Sequence, residues 1–296
     1  MQILEVVAVN VFCSYFSIIA GLFSLIARSL SSQNWGGRVY VFIALAVASF
    51  VHTWFYMFKF MAANYDQSAR ATIPAGLAVE RMSQWLLNTS LFEQAWAHVC
   101  FGKVNWWWSQ QLCLFTVGAW TIFLSVEGRH HHIKFIWVYM LLGQFVAISV
   151  VSNLVYFALV LAPRPPSPSS SHGMSSLPAP VALWLPILLS LGTIATSPFT
   201  SERSFLPNLL LMHTLIILPL LVPDRLFPLG QASAEPKSRI GISLKTLYIV
   251  VFGACSGFTR AQLAKPAKPP AIHRSLSRIL LSRHGMSFTL IRHNRP

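Results

Sequence analysis

The fold class this sequence predicts is all-α: a polytopic bundle of transmembrane helices with an amphipathic interfacial helix between the second and third spans. Three observations carry that reading. Of 296 residues, 54% are hydrophobic and only 10% are charged, where a soluble domain carries about a quarter; the mean hydropathy is +0.57. The apolar residues gather into seven segments, each near the roughly twenty residues that cross a hydrocarbon core. The one long polar stretch, 62–108, is rich in tryptophan and has helical amphipathicity rather than the composition of a disordered loop.

The predicted spans are 3–27, 39–61, 109–126, 135–161, 181–197, 207–223 and 240–258. The first lacks a basic leader and is too long for the apolar region of a signal peptide, so it reads as a retained helix. Asn10, Ser14, Ser17, Gly21 and Ser24 make a stripe of small residues along it, the pattern of close helix packing. In span two, Ser49, His52, Tyr56 and Lys59 repeat that spacing. Lys59 is placed to snorkel, and His52 is either a packed histidine or one lining a cavity. Between spans two and three, Met82 to Val99 reads as one short amphipathic helix, with Trp85, Phe92 and Trp96 among Glu80, Arg81, Glu93 and His98. Trp106, Trp107 and Trp108 then mark the bilayer interface, where indoles settle.

Span three has the clearest pattern. Trp106, Gln110, Cys113, Val117, Trp120, Leu124 and Glu127 recur at steps of four and three and share one face. At about 1.5 Å per residue, Trp106 and Glu127 stand about 30 Å apart, one at each boundary of the hydrocarbon. The run His130-His131-His132 follows; consecutive histidines point in different directions on a helix, so a short interfacial loop is expected there and no metal site. In span four Tyr139 and Asn153 share a face, while Gln144 and Asn153, nine residues apart, face opposite sides of one helix buried among polar partners. Pro186, Pro207 and Pro219 would kink spans five and six, and His213 lies between the last two as a structural or cavity-lining histidine.

The Pro- and Ser-rich stretch 162–180 reads as a flexible loop within a bundle comprising 1–259. Residues 260–296 form a basic tail, disordered or an artefact of the gene model. Of the 22 Lys and Arg behind the net charge of +14, eight lie from Arg260 to Arg295 with no acid among them, so the charge does not argue for a nucleic-acid partner. Cys13, Cys100, Cys113 and Cys255 lack the paired spacing of a zinc or disulfide framework. Loop charges favour opposite orientations with and without the tail. The sequon Asn88-Thr89-Ser90, a candidate glycosylation site, places the N-terminus outside the cytoplasm.

No phosphate loop, nucleotide fingerprint, zinc signature, nucleophile elbow or Asp-rich magnesium motif is present. What remains is a greasy bundle with few carboxylates, many aromatics and isolated polar groups. That combination suits carbocation chemistry on an apolar substrate. A carboxylic acid among apolar neighbours can stay protonated and act as a general acid, and aromatic faces stabilise positive charge without attacking it.

The runs WLLNTSLFEQAWAHVC, NWWWSQQLCLFTVGAWTIFLSVEGRHH and VYMLLGQFVAISVVSNLVY resemble the fungal integral-membrane terpene cyclases of the ascochlorin and ascofuranone type, which act in meroterpenoid pathways. The likeness is good over about 80–161, looser over spans one, two and six, and ends near Gly257. It implies cyclisation of a farnesyl-type chain on a polar aromatic head, begun by protonating a terminal epoxide or alkene, with no metal or other cofactor. It also implies a prenylated substrate, often an epoxide made by a partner monooxygenase, and a multi-pass protein of the endoplasmic reticulum.

The assignment of an acid rests on position. Glu93, between Phe92 and Trp96, comes first and Glu127 second; Asp66, Glu80 and Asp224 follow. Equally, Glu93 and Glu127 could be interfacial carboxylates paired with Arg81 or Arg129. His52, Gln110, Gln144, Asn153 and His213 are candidates to hold a head group or relay a proton. Trp54, Trp96, Trp106, Trp107, Trp108, Trp120 and Tyr139 are candidate pocket walls. The competing readings are a small-molecule transporter or receptor-like bundle, in which the polar residues line a path, and a non-catalytic membrane scaffold.

Overall fold

The computed structural model describes residues 3–30, 36–37, 39–72, 77–100, 102–162, 178–223 and 242–264. They are helical almost throughout. Helix α1 is Ile3–Leu30, α2 Val39–Thr72, α3 Ala78–Asn88, α4 Leu91–Val99, α5 Lys103–Phe115, α6 Thr121–His130, α7 Ile136–Phe145, α8 Ile148–Leu161, α9 Val181–Thr196, α10 Glu202–Leu221 and α11 Leu244–Ala264. The extended structure among the described residues is a two-residue antiparallel pair, Pro178 opposite Ser243 and Ala179 opposite Ile242, which ties the start of α9 to that of α11.

Five helices are long and apolar enough to cross a membrane: Ile3–Leu30, Val39–Ser68, Lys103–His130, Val181–Phe199 and Arg203–Leu221. The expected span 135–161 is instead two shorter apolar helices, α7 and α8. They part at Val146 (φ −115°, ψ −80°) and Ala147 (φ −169°, ψ 144°). No proline or glycine sits at the break. One of the carbonyls there, that of Phe145, accepts a hydrogen bond from the Tyr15 hydroxyl of α1. A broken helix survives in a bundle where a neighbour satisfies the released backbone groups, and α1 does so here. Helix α11, with Lys245 and Arg260, is not among the five.

The polar stretch 62–108 also differs from expectation. Residues 62–72 continue α2, because their Ala, Gln and Arg favour helix and no Gly or Pro interrupts them. At 34 residues, α2 is about 50 Å long and projects beyond any hydrocarbon layer. The helix expected over 82–99 is two helices, α3 and α4, separated at Thr89, whose backbone is extended. Residues of the Asn-Thr-Ser type bond to nearby backbone and favour helix ends: Thr89 Oγ1 donates to the Trp85 carbonyl at 2.7 Å, and Asn88 Nδ2 to that of Gln84 at 2.8 Å.

The third span runs through 103–130, longer at both ends than the expected 109–126, and the tryptophan triplet lies in its first turns. A five-residue π-turn at Thr116–Trp120 joins α5 to α6. The Thr121 hydroxyl donates to the Thr116 carbonyl five residues back, at 2.7 Å. The π-turn packs against α9 and α11, and α7 packs against α1, α8 and α10. Around that centre Val117, Trp120, Leu124, Val138, Tyr139 and Leu142 are fully buried. Gly118 admits α11 so closely that a Cβ there would overlap the Val251 side chain. Helices α1 and α2 keep wide apolar faces exposed, Val7, Val11, Val51 and Phe55 among them.

Candidate functional site

Helix α4 is the element around which polar and aromatic side chains converge. Its nine residues bury Leu91, Ala95 and Ala97, and it wedges between long helices instead of lying clear of them. Phe92 sets its ring 4.7 Å from that of Tyr15, near the middle of α1. One turn on, Trp96 meets the His213 ring of α10 edge-on at 4.8 Å. Glu93 is half-buried and lies next to Phe92 and one turn before Trp96. The following residue, Gln94, accepts from Asn64 Nδ2 at 2.8 Å, while Asn64 Oδ1 accepts from the Trp85 indole at 2.8 Å. That chain pins α2, α3 and α4 together.

The α7–α8 break lies against the same group. Tyr15 donates to Phe145 and stacks obliquely on its ring at 5.6 Å, and Gln144 Nε2 donates to the His213 carbonyl at 3.1 Å. His213 Nδ1 lies 2.7 Å from the Leu209 carbonyl and donates to it, which leaves Nε2 as the accepting nitrogen. Trp54 closes the aromatic side, 6.3 Å from Tyr15 and 5.4 Å from Phe16. Trp96, Gln144, His213 and Trp54 are thus linked by shared contacts and brought together by four separate parts of the chain, with Glu93 one turn before Trp96 on α4.

The remaining candidates lie beside this group or away from it. Trp106 packs with Ala97 and Phe205 in a small cluster of its own. Trp107 is half-buried, and Trp108 is 58% exposed, so the triplet passes from core to surface rather than forming one wall. Gln110 is buried and lies 3.3 Å from the Ser197 hydroxyl. Trp120 stacks between Phe115 at 6.4 Å and Phe123 at 5.6 Å, and Tyr139 is buried in the core cluster. Asn153 donates to Ser149 of its own helix at 2.8 Å, and the break upstream removes the fixed angle to Gln144 that one continuous helix would impose. His52 is exposed on α2, edge-on to Tyr56 at 4.9 Å. Asp66 is exposed; Glu80 is exposed and accepts from the Leu77 amide at 3.3 Å, at the start of α3. Asp224 lies outside the described residues.

Glu127 keeps different company from Glu93. The α4 end meets Trp106, and Glu127 stands about 30 Å further along the continuous 103–130 helix. Its Oε2 is 3.9 Å from His130 Nδ1 and 3.7 Å from His131 Nε2. The expectation that these histidines point apart therefore misses that both flank the same carboxylate. Arg129 donates from Nη2 to the carbonyls of Pro219 and Val222, at 2.7 and 2.9 Å, so that end of α6 is tied to the end of α10. Glu127, His130 and His131 are the residues that could hold a metal ion among those described.

Two further residues escape the sequence reading. Glu5 is buried in the first turn of α1, where its carboxylate accepts from Gln84 Nε2 of α3; its signal is a lone carboxylate in an apolar run. Tyr15 has no such signal, because a tyrosine in an apolar helix is commonplace. At Cys100, between α4 and α5, burial pushes the thiol up, against a smaller opposing effect of the Ser109 hydroxyl.

Compared with protein-family models, curated proteins and solved structures, the chain matches none.

Proposed function

We propose that this chain is a membrane-embedded terpene cyclase that folds an isoprenoid tail into rings by proton-initiated carbocation chemistry. The observation that carries the reading is the convergence at α4, where half-buried Glu93 stands in the sequence between Phe92, which packs on Tyr15, and Trp96, which meets the His213 ring. The resemblance of 80–161 to the ascochlorin-type cyclases supports it independently. Glu93 is the acid. Its carboxyl proton passes to the oxygen of a terminal epoxide, the carbon–oxygen bond opens, and a tertiary cation forms. Each ring bond then takes its electron pair from the next alkene of the chain. Loss of a proton from carbon to His213 Nε2 ends the sequence, and return of a proton from His213 to Glu93 through water restores the acid, so product and substrate are isomers. The faces of Tyr15, Trp54, Phe92 and Trp96 hold the travelling charge. Gln144 orients the polar head.

In the same reading the chain crosses the endoplasmic reticulum membrane seven times, with α7 and α8 together as one crossing and α11 as the last. Helices α3 and α4 lie on the lumenal side, and the substrate is a prenylated phenol epoxide supplied by a monooxygenase. Asn88 is exposed at the α3–α4 break and is then glycosylated. Treatment of microsomes with an endoglycosidase should increase the mobility of the wild-type chain and leave Asn88→Gln unchanged; equal mobility throughout would oppose this orientation.

The test of function is expression in a yeast or mould host fed a farnesylated phenol epoxide. A new cyclic compound of equal mass, absent from the host alone, is the expected result. Substrate that crosses the membrane unchanged would favour a transporter instead.

A further inference from the structure

On an α-helix the residues three and four positions beyond a given one both flank it. The pattern Glu-x-x-His-His at 127–131 therefore sets two imidazoles beside one carboxylate, although the histidines diverge from each other. The helix end holds them there. The His131 amide donates to the Glu127 carbonyl at 3.0 Å, that of His132 to Arg129 at 3.0 Å and that of Ile133 to Gly128 at 2.8 Å. His132 (φ 51°) then turns the chain into α7.

Each of Glu127, His130 and His131 offers a ligand atom, all within 4.8 Å of one another, and Glu127 Oε2 faces His130 Nδ1 and His131 Nε2. A tetrahedral zinc ion with bonds of roughly 2.0–2.1 Å needs its ligands about 3.4 Å apart. The 3.7 and 3.9 Å separations from the carboxylate oxygen are thus within about half an ångström of that spacing. His130 Nδ1 is enclosed, faces the carboxylate and makes no hydrogen bond among the described residues, a cost that coordination would remove. The side chains of Glu127 and His131 are 28% and 20% exposed, so a hydrated ion can reach them.

We propose that Glu127, His130 and His131 bind one divalent transition-metal ion of the zinc class. Two imidazoles and a carboxylate suit zinc, cobalt or nickel, whereas magnesium and calcium prefer oxygen donors throughout. Three protein ligands leave a coordination position for water or an external oxygen. The site lies at the opposite end of the third span from α4 and does not depend on the cyclase reading. It does assign Glu127 as an ionised ligand, which removes it as the acid.

The test uses the full-length chain in detergent, purified without a histidine tag and stripped with chelator, and titrated with Co²⁺. The wild type should develop visible d–d bands that saturate at one ion per chain and vanish on addition of Zn²⁺. Glu127→Gln and the double variant His130→Ala, His131→Ala should bind at least tenfold more weakly. His132→Asn, which suits the positive φ, should bind as the wild type does. Circular dichroism of each variant reports whether it is folded. A wild-type chain that gives no saturable spectrum overturns the proposal whatever the variants do; so do folded Glu127 and His130/His131 variants that bind as tightly as the wild type.

Discussion

Glu93→Gln is expected to slow cyclisation about 10²- to 10⁴-fold, the range that a positioned general acid supplies, with helix content unchanged. The amide matches the carboxyl in shape but has no acidic proton to give. Because Glu93 is half-buried and the neighbouring anchors of α4 are Phe92, Gln94 and Trp96, the substitution leaves α4 attached. Glu93→Asp, which keeps the acid but withdraws it by one methylene, should retain measurable turnover. Product formation from the fed epoxide, normalised to the amount of chain in the membrane, is the measurement. Full conversion by Glu93→Gln, or its loss on Glu127→Gln alone, would place the acid elsewhere.

Gly118→Ala is expected to destabilise the bundle by about 1–3 kcal/mol, the usual cost of adding atoms to a packed core. The added Cβ falls on Cγ1 of Val251, where α11 crosses the π-turn. Helices in a membrane gain much of their association from such close approach of small residues. Trimming the partner should relieve the overlap, so Gly118→Ala with Val251→Ala should recover most of the loss. Gly253→Ala, with nothing within 4 Å of its added Cβ, should stay within about 0.5 kcal/mol of the wild type. Unfolding midpoints in detergent give the comparison. A Gly118→Ala midpoint equal to that of the wild type would mean that α11 does not pack there.

Much of the helical framework is legible in the sequence, because long apolar runs at membrane length admit few alternatives. The face from Trp106 through Val117, Trp120 and Leu124, which the spacing groups on one side, is buried, and Gly118, Thr121 and Ser125 around the π-turn are buried as well. The direction of a face is harder to read. Ser49, His52, Tyr56 and Lys59 do line one side of α2, but His52, Tyr56 and Lys59 are exposed while Trp54 turns inward. Periodicity states which residues share a side and is silent on where the side points. The break at Val146–Ala147 is hidden for another reason: its satisfied carbonyl is bonded by Tyr15, 130 positions away, and no local residue announces it. The meeting of Trp96, Gln144 and His213 joins three helices far apart in the sequence, so it too required three dimensions. At Glu127 the information was present. Measuring angles from the carboxylate, rather than between the histidines, brings His130 and His131 to it.

The most direct measurement is turnover by the purified full-length chain in lipid nanodiscs, supplied only with a farnesylated phenol epoxide. The account predicts conversion to a cyclic isomer of unchanged mass, many molecules per chain. Recovery of intact epoxide from a wild-type chain that is monodisperse and fully helical would contradict it.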